Sequence, residues 1–304
     1  MIPVVLQSGE DRRRLVSKAV ESLGDPFFDR LKNARSVFVK VDLSHHERQL
    51  ASTHVDAVRG LLDVIFLHAR PEVMVGDGGF TGTVAAFRNF GFDRLVEEYP
   101  HTSLVDLNAD EFVEGSVLRA DGSVIPIHRS RMASQADLRI SLAPMKIHRE
   151  YGVALTVLNW VLGTWIVPPR VSPRGLVYAR SPWLSDGMAS AHRSFMELWR
   201  QCPCDVGIID GIDAMEGDGP LDGTPLAFDA VLAGMDPVAV DAIGSAMMDI
   251  EPEQIPYLAF CDQERLGTIS LGHINIPPIE LLQRKYHFAR PIGFEENLAS
   301  GFIV

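Results

Sequence analysis

Short runs of β-branched residues that alternate with helical stretches restrict the fold of this 304-residue chain more than any other feature. Residues 36–41 (SVFVKV) predict a buried strand, residues 54–68 a helix and residues 72–75 a second strand. Further helices are predicted at 84–99 (either continuous or interrupted at Gly91), 150–162, 189–201, 237–248 and 252–267. Further strands are predicted at 103–107, 137–142, 205–209, 230–234 and 271–276. This alternation indicates an α/β fold with a mostly parallel, Rossmann-like layered sheet and helices on both of its faces.

Two segments depart from the alternation. Residues 117–127 (VLRADGSVIPI) place Asp121 and Gly122 between two short alternating runs, which is typical of a β-hairpin and predicts an antiparallel addition to the sheet. Residues 167–186 contain four prolines and are predicted as a long loop or linker. If the chain has two lobes, we expect their boundary within residues 168–188, although the sheet can also continue across this segment.

The composition limits the classes of partner. The chain has 28 Lys and Arg residues against 40 Asp and Glu, so its acidic surface repels phosphate backbones and nucleic acid is not expected as a partner. Three cysteines cannot supply the four thiolates of a typical iron–sulfur cluster. The longest apolar run, residues 153–167, is shorter than the ~20 residues that span a bilayer, and we recognise no signal peptide. We therefore expect a soluble, cytoplasmic protein without a membrane partner, and a homo-oligomer is compatible with the sequence.

Ionisable side chains follow four of the predicted strands. In open α/β sheets, ligands bind outside the carboxyl ends of the parallel strands. The residues at these strand ends are Lys40 and Asp42, then Gly76, Asp77, Gly78 and Gly79, then Lys146 and His148, and finally Asp210 with the acidic segment after it. Their convergence at one sheet edge predicts a binding site.

The glycine-rich segment 76–79 is predicted to bind ligand. Gly76, Gly78 and Gly79 let the backbone approach a ligand closely, and the following helix offers its N-terminus to an anion. The pattern matches neither the dinucleotide-binding fingerprint nor the Walker loop. A tight turn between strand and helix is the structural alternative.

Lys146 and His148 flank Ile147, so an extended segment would place both on one face. Lys146 could hold a carboxylate or phosphate, and His148 could bind a metal or transfer a proton. With Lys40 they are the predicted catalytic residues. The alternative is a surface lysine beside a histidine whose hydrogen bonds are satisfied within the protein.

The acidic segment after residue 209 suggests a hard cation. Asp210, Asp213, Glu216 and Asp218 lie within nine residues, without the spacing of an EF-hand. A divalent metal held by Asp77, His148, Asp210 and Glu216 is therefore one prediction. An acidic loop that is simply solvated is the other.

The order of these motifs resembles the family named domain of unknown function 362. In that family a strand ending in Lys-Pro-Asn is followed by Thr-His, a Gly-Asp turn, Pro-Lys-x-Lys-x-His and a Leu-Lys-Asn-x-x-Gly helix. Asp-Gly, Glu-Gly-x-Gly-Pro and Asp-Pro-x-Ala-x-Asp come last. The matching positions here are Lys40–Asp42, Thr53–His54, Gly76–Gly78, Ala143–His148, Leu158–Asn159 with Gly163, Asp210–Gly211, Glu216–Pro220 and Asp236–Asp241.

The resemblance implies ligand-binding roles for Asp42, Asn159, Gly217 and Gly219 and a single family domain over residues 1–304. The chain departs from the family pattern at two positions. Asp42 replaces the family's asparagine, and Leu158 replaces its lysine, so one positive charge is missing. The cysteine module that many relatives carry is also missing, so an iron–sulfur role is not implied here.

The function expected from these residues is an enzyme that acts on a small anionic metabolite, with metal-assisted acid–base chemistry as one form of it. A divalent metal is the one cofactor that these residues suggest, and the sequence does not identify any other. A cofactor-binding or redox-accessory protein without turnover, and a purely structural role, are the alternatives.

Two aspartates of residues 236–241 receive different predictions. Asp236 precedes Pro237 at the start of a predicted helix, so we expect it to be the N-cap. Asp241 lies in an apolar part of that helix, where a buried carboxylate needs hydrogen-bond donors, and we expect it to hold the loops of the site.

Overall fold

The computed structural model describes residues 1–172, 175–180, 184–275 and 286–303. The strands in this part of the chain are β1 (Ile2–Ser8), β2 (Ser36–Val41), β3 (Glu72–Asp77), β4 (Thr102–Asp106), β5 (Phe112–Leu118), β6 (Val124–Ser130), β7 (Leu138–His148), β8 (Gly152–Ala154), β9 (Trp165–Ile166), β10 (Arg170–Ser172), β11 (Gly175–Val177), β12 (Val206–Glu216), β13 (Thr224–Ala227), β14 (Ala230–Gly234) and β15 (Ile274–Asn275). The helices are α1 (Arg12–Glu21), α2 (Asp25–Asn33), α3 (Val55–His68), α4 (Thr83–Asn89), α5 (Leu95–Glu98), α6 (Arg131–Gln135), α7 (Thr156–Gly163), α8 (Met188–Gln201), α9 (Pro237–Met247), α10 (Pro256–Gln263) and α11 (Phe294–Ser300).

One large sheet organises the fold. Its order is β15-β1-β14-β12-β7-β2-β3-β4, with β13 paired to β12 and β8 paired to β7. The run from β12 through β7, β2 and β3 to β4 is parallel, whereas β1, β8, β13 and β14 add antiparallel pairs. The register places Lys40 of β2 beside Gly76 of β3 and Ser141 of β7, so these strands end at the same sheet edge.

Helices cover both faces of this sheet because central strands such as β2 bury side chains on both sides. Val37, Val39 and Val41 of β2 belong to the hydrophobic cluster that includes α1, α2 and α3. Phe38 points to the opposite face, where it packs edge-on against Trp160 of α7 at 6.2 Å between ring centroids. The predicted layered α/β architecture is confirmed.

The predicted hairpin forms as β5 and β6, which pair antiparallel throughout. It joins β9 in a separate three-stranded sheet rather than extending the large one. Gln201 of α8 fixes this position, because its side chain bonds to both the N–H and the C=O of Ser116. A sequence pattern identifies a hairpin but not the sheet that it joins.

Two predicted boundaries are wrong. The helix expected at 150–162 begins only at Thr156, because Gly152 adopts a left-handed conformation (φ 86°) and turns the chain back as β8 against β7. The strand expected to end at 209 continues as β12 to Glu216, where the acidic loop was expected. Pairing with β13 from Asp213 to Glu216 extends this strand despite its aspartates.

Smaller differences occur at both ends of the chain. β1 was not predicted, and it pairs with β14 inside the sheet. The helix expected at 252–267 is shorter and spans Pro256–Gln263. The strand expected at 271–276 is confirmed at Ile274–Asn275 on the sheet edge, and residue 276 lies outside the described residues.

Strands before and after the proline-rich segment share the large sheet, since β7 and β12 are direct neighbours. The lobe boundary within residues 168–188 stays a prediction. In the described ranges, every helix is too short or too polar to cross a membrane.

Asp236, directly before α9, and Asp241, within α9, each cap the start of a helix. Asp236 accepts hydrogen bonds from the N–H groups of Val238 and Ala239 at 3.0 and 3.1 Å, which confirms the predicted N-cap. The carboxylate of Asp241 is fully buried and accepts from the N–H groups of Thr156 and Val157, both at 2.9 Å. Asp241 therefore caps α7, a different helix from its own.

Replacing Asp236 with Ala leaves the first N–H groups of α9 without their acceptor. We expect the free energy of unfolding, measured by urea denaturation, to fall by about 1 to 2 kcal/mol. The exposed Asp29→Ala serves as control and should stay within about 0.5 kcal/mol of the wild type. An unchanged stability of Asp236→Ala would contradict the capping role.

The second prediction concerns the pH dependence of Asp241. Burial raises the pKa of Asp241 to about 7, although the hydrogen bonds from Thr156 and Val157 act to lower it. Between the ordinary pKa and this raised value, the folded state holds a proton that the unfolded state has lost. The stability that Asp241 contributes is therefore complete at low pH and is lost as the pH rises toward 7, by at most about 1.4 kcal/mol per pH unit.

Urea denaturation of the wild type and Asp241→Asn at pH 5, 6, 7 and 8 measures this effect. The stability difference in favour of the wild type should shrink from pH 5 to pH 7 and then level off. A difference that stays constant across this range would show that the pKa of Asp241 is not raised.

Candidate functional site

A cavity of about 260 Å³ opens where β2, β3 and β7 end. Its walls combine these strand ends with α7, residues 178–180, Leu184 and the segment after β12. The predicted site residues that line it are Lys40, Asp42, Asp77, Gly78, Gly79, Lys146, His148 and Asn159. Seven of these residues come from three of the predicted strand ends, and the eighth, Asn159, was predicted from the family resemblance.

Lys40 lies at the cavity floor with all of its donors in use. Its Nζ is 2.7 Å from Asp77 Oδ1 and donates to Asn159 Oδ1 at 2.6 Å and to the carbonyl oxygen of Val41 at 2.7 Å. An ammonium group has three N–H donors. Lys40 therefore has no donor left for a ligand, and its charge is fixed in place beside the cavity.

Gly163 makes room for this pair. A Cβ at this position would overlap Cε and Nζ of Lys40 and would crowd Asp77 Oδ1 at 2.5 Å. Gly163 also accepts a hydrogen bond from the N–H of Gly78 at 3.0 Å, which ties α7 to the glycine-rich segment. The end of α7 must therefore be a glycine for Lys40 and Asp77 to meet.

Lys146 forms the second buried pair and keeps one donor. Its Nζ donates to Asp42 Oδ2 and to the carbonyl oxygen of Ala51, both at 2.7 Å. The described residues supply no third acceptor, so one N–H is available at the cavity. Asp42 in turn accepts from the N–H of Ser44 at 2.9 Å and from its hydroxyl.

The two carboxylates have pKa values that shift in opposite directions. Burial raises the pKa of Asp77 above its ordinary value; Lys40 opposes this rise and Asp42 adds to it. Burial also acts to raise the pKa of Asp42, but Lys146 and Lys40 outweigh it and hold that pKa low. Asp42 is therefore the more firmly ionised of the two.

His148 is neutral and has a defined tautomer. Burial lowers the pKa of His148 to about 3, and the charge of Lys146 adds to this effect. Nδ1 accepts from the N–H groups of Glu150 and Tyr151, both at 3.2 Å, so the single ring proton is on Nε2. The predicted alternation is confirmed, since Lys146 and His148 both line the cavity from β7.

Arg180 lines the cavity although it was not predicted to. Within the described part of the chain, its guanidinium bonds only to main-chain carbonyl oxygens: those of Gly78 (3.0 Å), Trp165 (2.6 Å) and Tyr178 (3.2 Å). Burial lowers the pKa of Arg180 to about 10, opposed by the charge of Asp77, so it stays protonated at neutral pH. No local pattern distinguishes Arg180 from the other arginines of the proline-rich segment.

The four predicted metal ligands do not come together. Asp210 lies 2.8 Å from Nε of Arg12, and Glu216 accepts from the N–H of Ala289 at 2.7 Å, whereas Asp77 and His148 line the cavity. Among the described residues, no group of three or more His, Cys, Asp or Glu side chains is arranged to hold a metal ion. The residues present thus do not fit the predicted divalent metal.

Three predicted glycines lie outside the cavity lining. Gly76 is inside the sheet, where a Cβ would approach the carbonyl oxygen of Val105 at 2.5 Å. Gly217 adopts φ 74°, and a Cβ on Gly219 would overlap the carbonyl oxygen of Ile147. The family pattern at 217–219 therefore positions the following Pro220 and Leu221, which do line the cavity.

Gly163→Ala should break the packing of Lys40 against Asp77. Because a buried ion pair is disturbed and the added methyl group has no room, we expect the free energy of unfolding to fall by about 3 kcal/mol. Gly272→Ala is the matched control, since no atom lies within 4 Å of its Cβ position. Urea denaturation in which both variants match the wild type would contradict this assignment.

Comparisons with known proteins give both sequence and structural relatives. The chain is 28% identical over 211 residues to a thylakoid-associated protein of Synechocystis sp., an alignment that covers 65% of this chain and 62% of that protein. The lactate racemase apoprotein of Thermoanaerobacterium thermosaccharolyticum has a TM-score of 0.49 at 16% identity, covering 76% of this chain and 54% of that one. A Thermotoga maritima protein has a TM-score of 0.41 at 12% identity, covering 73% and 56%.

Both TM-scores are below 0.5. The chain also spans less than two thirds of the length of each of these proteins. The model of the family described as Domain of unknown function (DUF362) matches residues 37–246, well over half of the chain. The protein therefore belongs to the DUF362 family.

Proposed function

We propose that this protein is an enzyme that binds a small anionic metabolite in the cavity at the ends of β2, β3 and β7. One observation carries the proposal: the buried part of the cavity lining has more positive than negative charge. Three cations, Lys40, Lys146 and Arg180, face two shielded carboxylates, Asp42 and Asp77. An uncompensated charge away from bulk water is costly, so an anionic ligand would restore the balance.

A third carboxylate at the rim does not remove this excess. Glu150 also lines the cavity, but it is exposed to solvent, where water and salt screen its charge. Lys146 is only 1% exposed at its side chain and Arg180 is partly buried. The buried cations therefore dominate the electrostatic potential that a bound ligand experiences.

Two unused donors define where an anion would be held. The third N–H of Lys146 and the Nε2–H of His148 come from the same face of β7, two residues apart. Donors held in place in a shielded site stabilise negative charge that develops on a substrate oxygen. In this proposal His148 donates a hydrogen bond rather than acting as a base, and Lys40 keeps Asp77 and Asn159 in position.

A ligand-binding protein without turnover would share this binding site, so turnover must be measured separately. Purified protein is incubated with a deproteinised extract of small metabolites, and the anionic compounds are followed by mass spectrometry. Depletion of one compound by the wild type but not by Lys146→Met supports the enzyme. Saturable binding of anions with no compound consumed favours the alternative. A cytoplasmic location and self-association stay predictions from the sequence.

The excess of buried positive charge predicts which variants lose anion binding. Sodium acetate should raise the melting temperature relative to sodium chloride at equal ionic strength, because acetate occupies the cavity. Lys146→Met and Arg180→Met should weaken acetate binding about tenfold or more, as expected when a charged hydrogen-bond donor is lost. Arg35→Met is the control, since that side chain is 94% exposed at the opposite end of β2.

If acetate and chloride give the same melting temperature for the wild type, no carboxylate binds and the proposal fails. Equal acetate responses in Lys146→Met, Arg180→Met and Arg35→Met would also refute it, because binding would then not depend on the cavity.

A further inference from the structure

The cavity has an apolar wall beside its charged floor. Leu158 and Leu162 lie one turn apart on α7 and both line the cavity. Ala154 of β8, Tyr151 and Leu184 continue this wall and are themselves largely buried. Any ligand that reaches Lys146 therefore also contacts apolar side chains.

α7 creates this division through its helical period. Asn159 and Gly163, four residues apart, adjoin Lys40 and Asp77. The neighbouring ridge of Leu158 and Leu162 is displaced by about 100° around the helix and borders the open space. One helix thus supplies both the support of the charged pair and the apolar surface next to it.

The volume of the cavity limits how large the apolar part of a bound ligand can be. A dry cavity of roughly 150 Å³ accommodates benzene. The cavity here, about 260 Å³, has room for one ring of that size together with a carboxylate.

The charge count limits the ligand to one negative charge. Among the shielded groups, with the exposed Glu150 left aside, three cations against two carboxylates leave an excess of one, which a single carboxylate neutralises. A second negative charge on the ligand would lie against the apolar wall without a partner, which is costly. Dicarboxylates and phosphate dianions are therefore disfavoured.

We propose that the substrate is a monocarboxylate with an apolar body about the size of one ring, whose carboxylate meets Lys146 and His148 and whose body lies against Leu158 and Leu162. This inference rests on the proposed function, since it names the substrate class of the same cavity. Ala154 is the residue that limits the room beside the carboxylate. It stands opposite Lys146 in the β7–β8 pair, so their side chains are cross-strand neighbours.

Isothermal titration calorimetry with four probes tests the substrate class: phenylacetate, acetate, phenylmalonate and benzyl alcohol. Phenylacetate should bind about tenfold or more tightly than acetate, because burying the ring adds apolar contact area. Phenylmalonate, with its second carboxylate, should bind at least about tenfold more weakly than phenylacetate, and so should benzyl alcohol, which has no charge.

Two variants locate the apolar body. Ala154→Leu fills the space beside Lys146, and Leu162→Asn keeps the size of the side chain but removes its apolar character. Each should lower the ratio of phenylacetate affinity to acetate affinity about fivefold or more. Ala120→Leu, at an exposed position in the β5–β6 turn, is the matched control and should leave this ratio unchanged. Using two variants protects the test if one of them does not fold.

The outcomes separate the two proposals. If none of the carboxylates binds, the proposed function fails and the substrate class fails with it. If acetate binds and phenylacetate binds no more tightly, or phenylmalonate binds best, the anion site stands and the apolar monocarboxylate is overturned. An unchanged affinity ratio in both Ala154→Leu and Leu162→Asn also overturns it.

Discussion

Two lysine–aspartate pairs buried at the ends of three parallel strands are the interaction on which the rest of the site depends. Charged groups are stable away from water only when opposite charges and hydrogen bonds surround them, and Lys40–Asp77 and Lys146–Asp42 meet this requirement at 2.7 Å each. Their pairing leaves the charge of Arg180 without a carboxylate among the described residues. The electrostatic character of the cavity follows from this excess.

α7 holds the arrangement together, and it is itself held from a distance. Asp241 of α9 caps its first turn, Asn159 in its middle accepts from Lys40, and Gly163 at its end leaves space for that lysine. A shift of this helix would move the acceptor of Lys40 and the apolar wall of the cavity together. The stability of α7 and the geometry of the site are therefore coupled through Asp241.

Local patterns in the sequence correctly predicted those features that depend only on neighbouring residues. Alternation in β7 correctly placed Lys146 and His148 on one face, and the Asp-Pro pair identified the cap at Asp236. Contacts between distant segments were not accessible in this way. Asp210 was expected in a metal site, but Arg12, some two hundred residues earlier, lies beside it. Arg180 lies in the cavity beside the carbonyl oxygen of Gly78, some one hundred residues earlier, and no periodicity indicates this contact.

A crystal structure of the protein with bound phenylacetate tests the central claim most directly, because it shows which donors meet the carboxylate. The expected result is a carboxylate oxygen within hydrogen-bond distance of Lys146 Nζ and His148 Nε2, with Lys40 still bonded to Asp77 and Asn159. A carboxylate that binds instead by displacing Asp77 from Lys40, or that lies in another part of the protein, would contradict the assignment of the excess charge to this cavity.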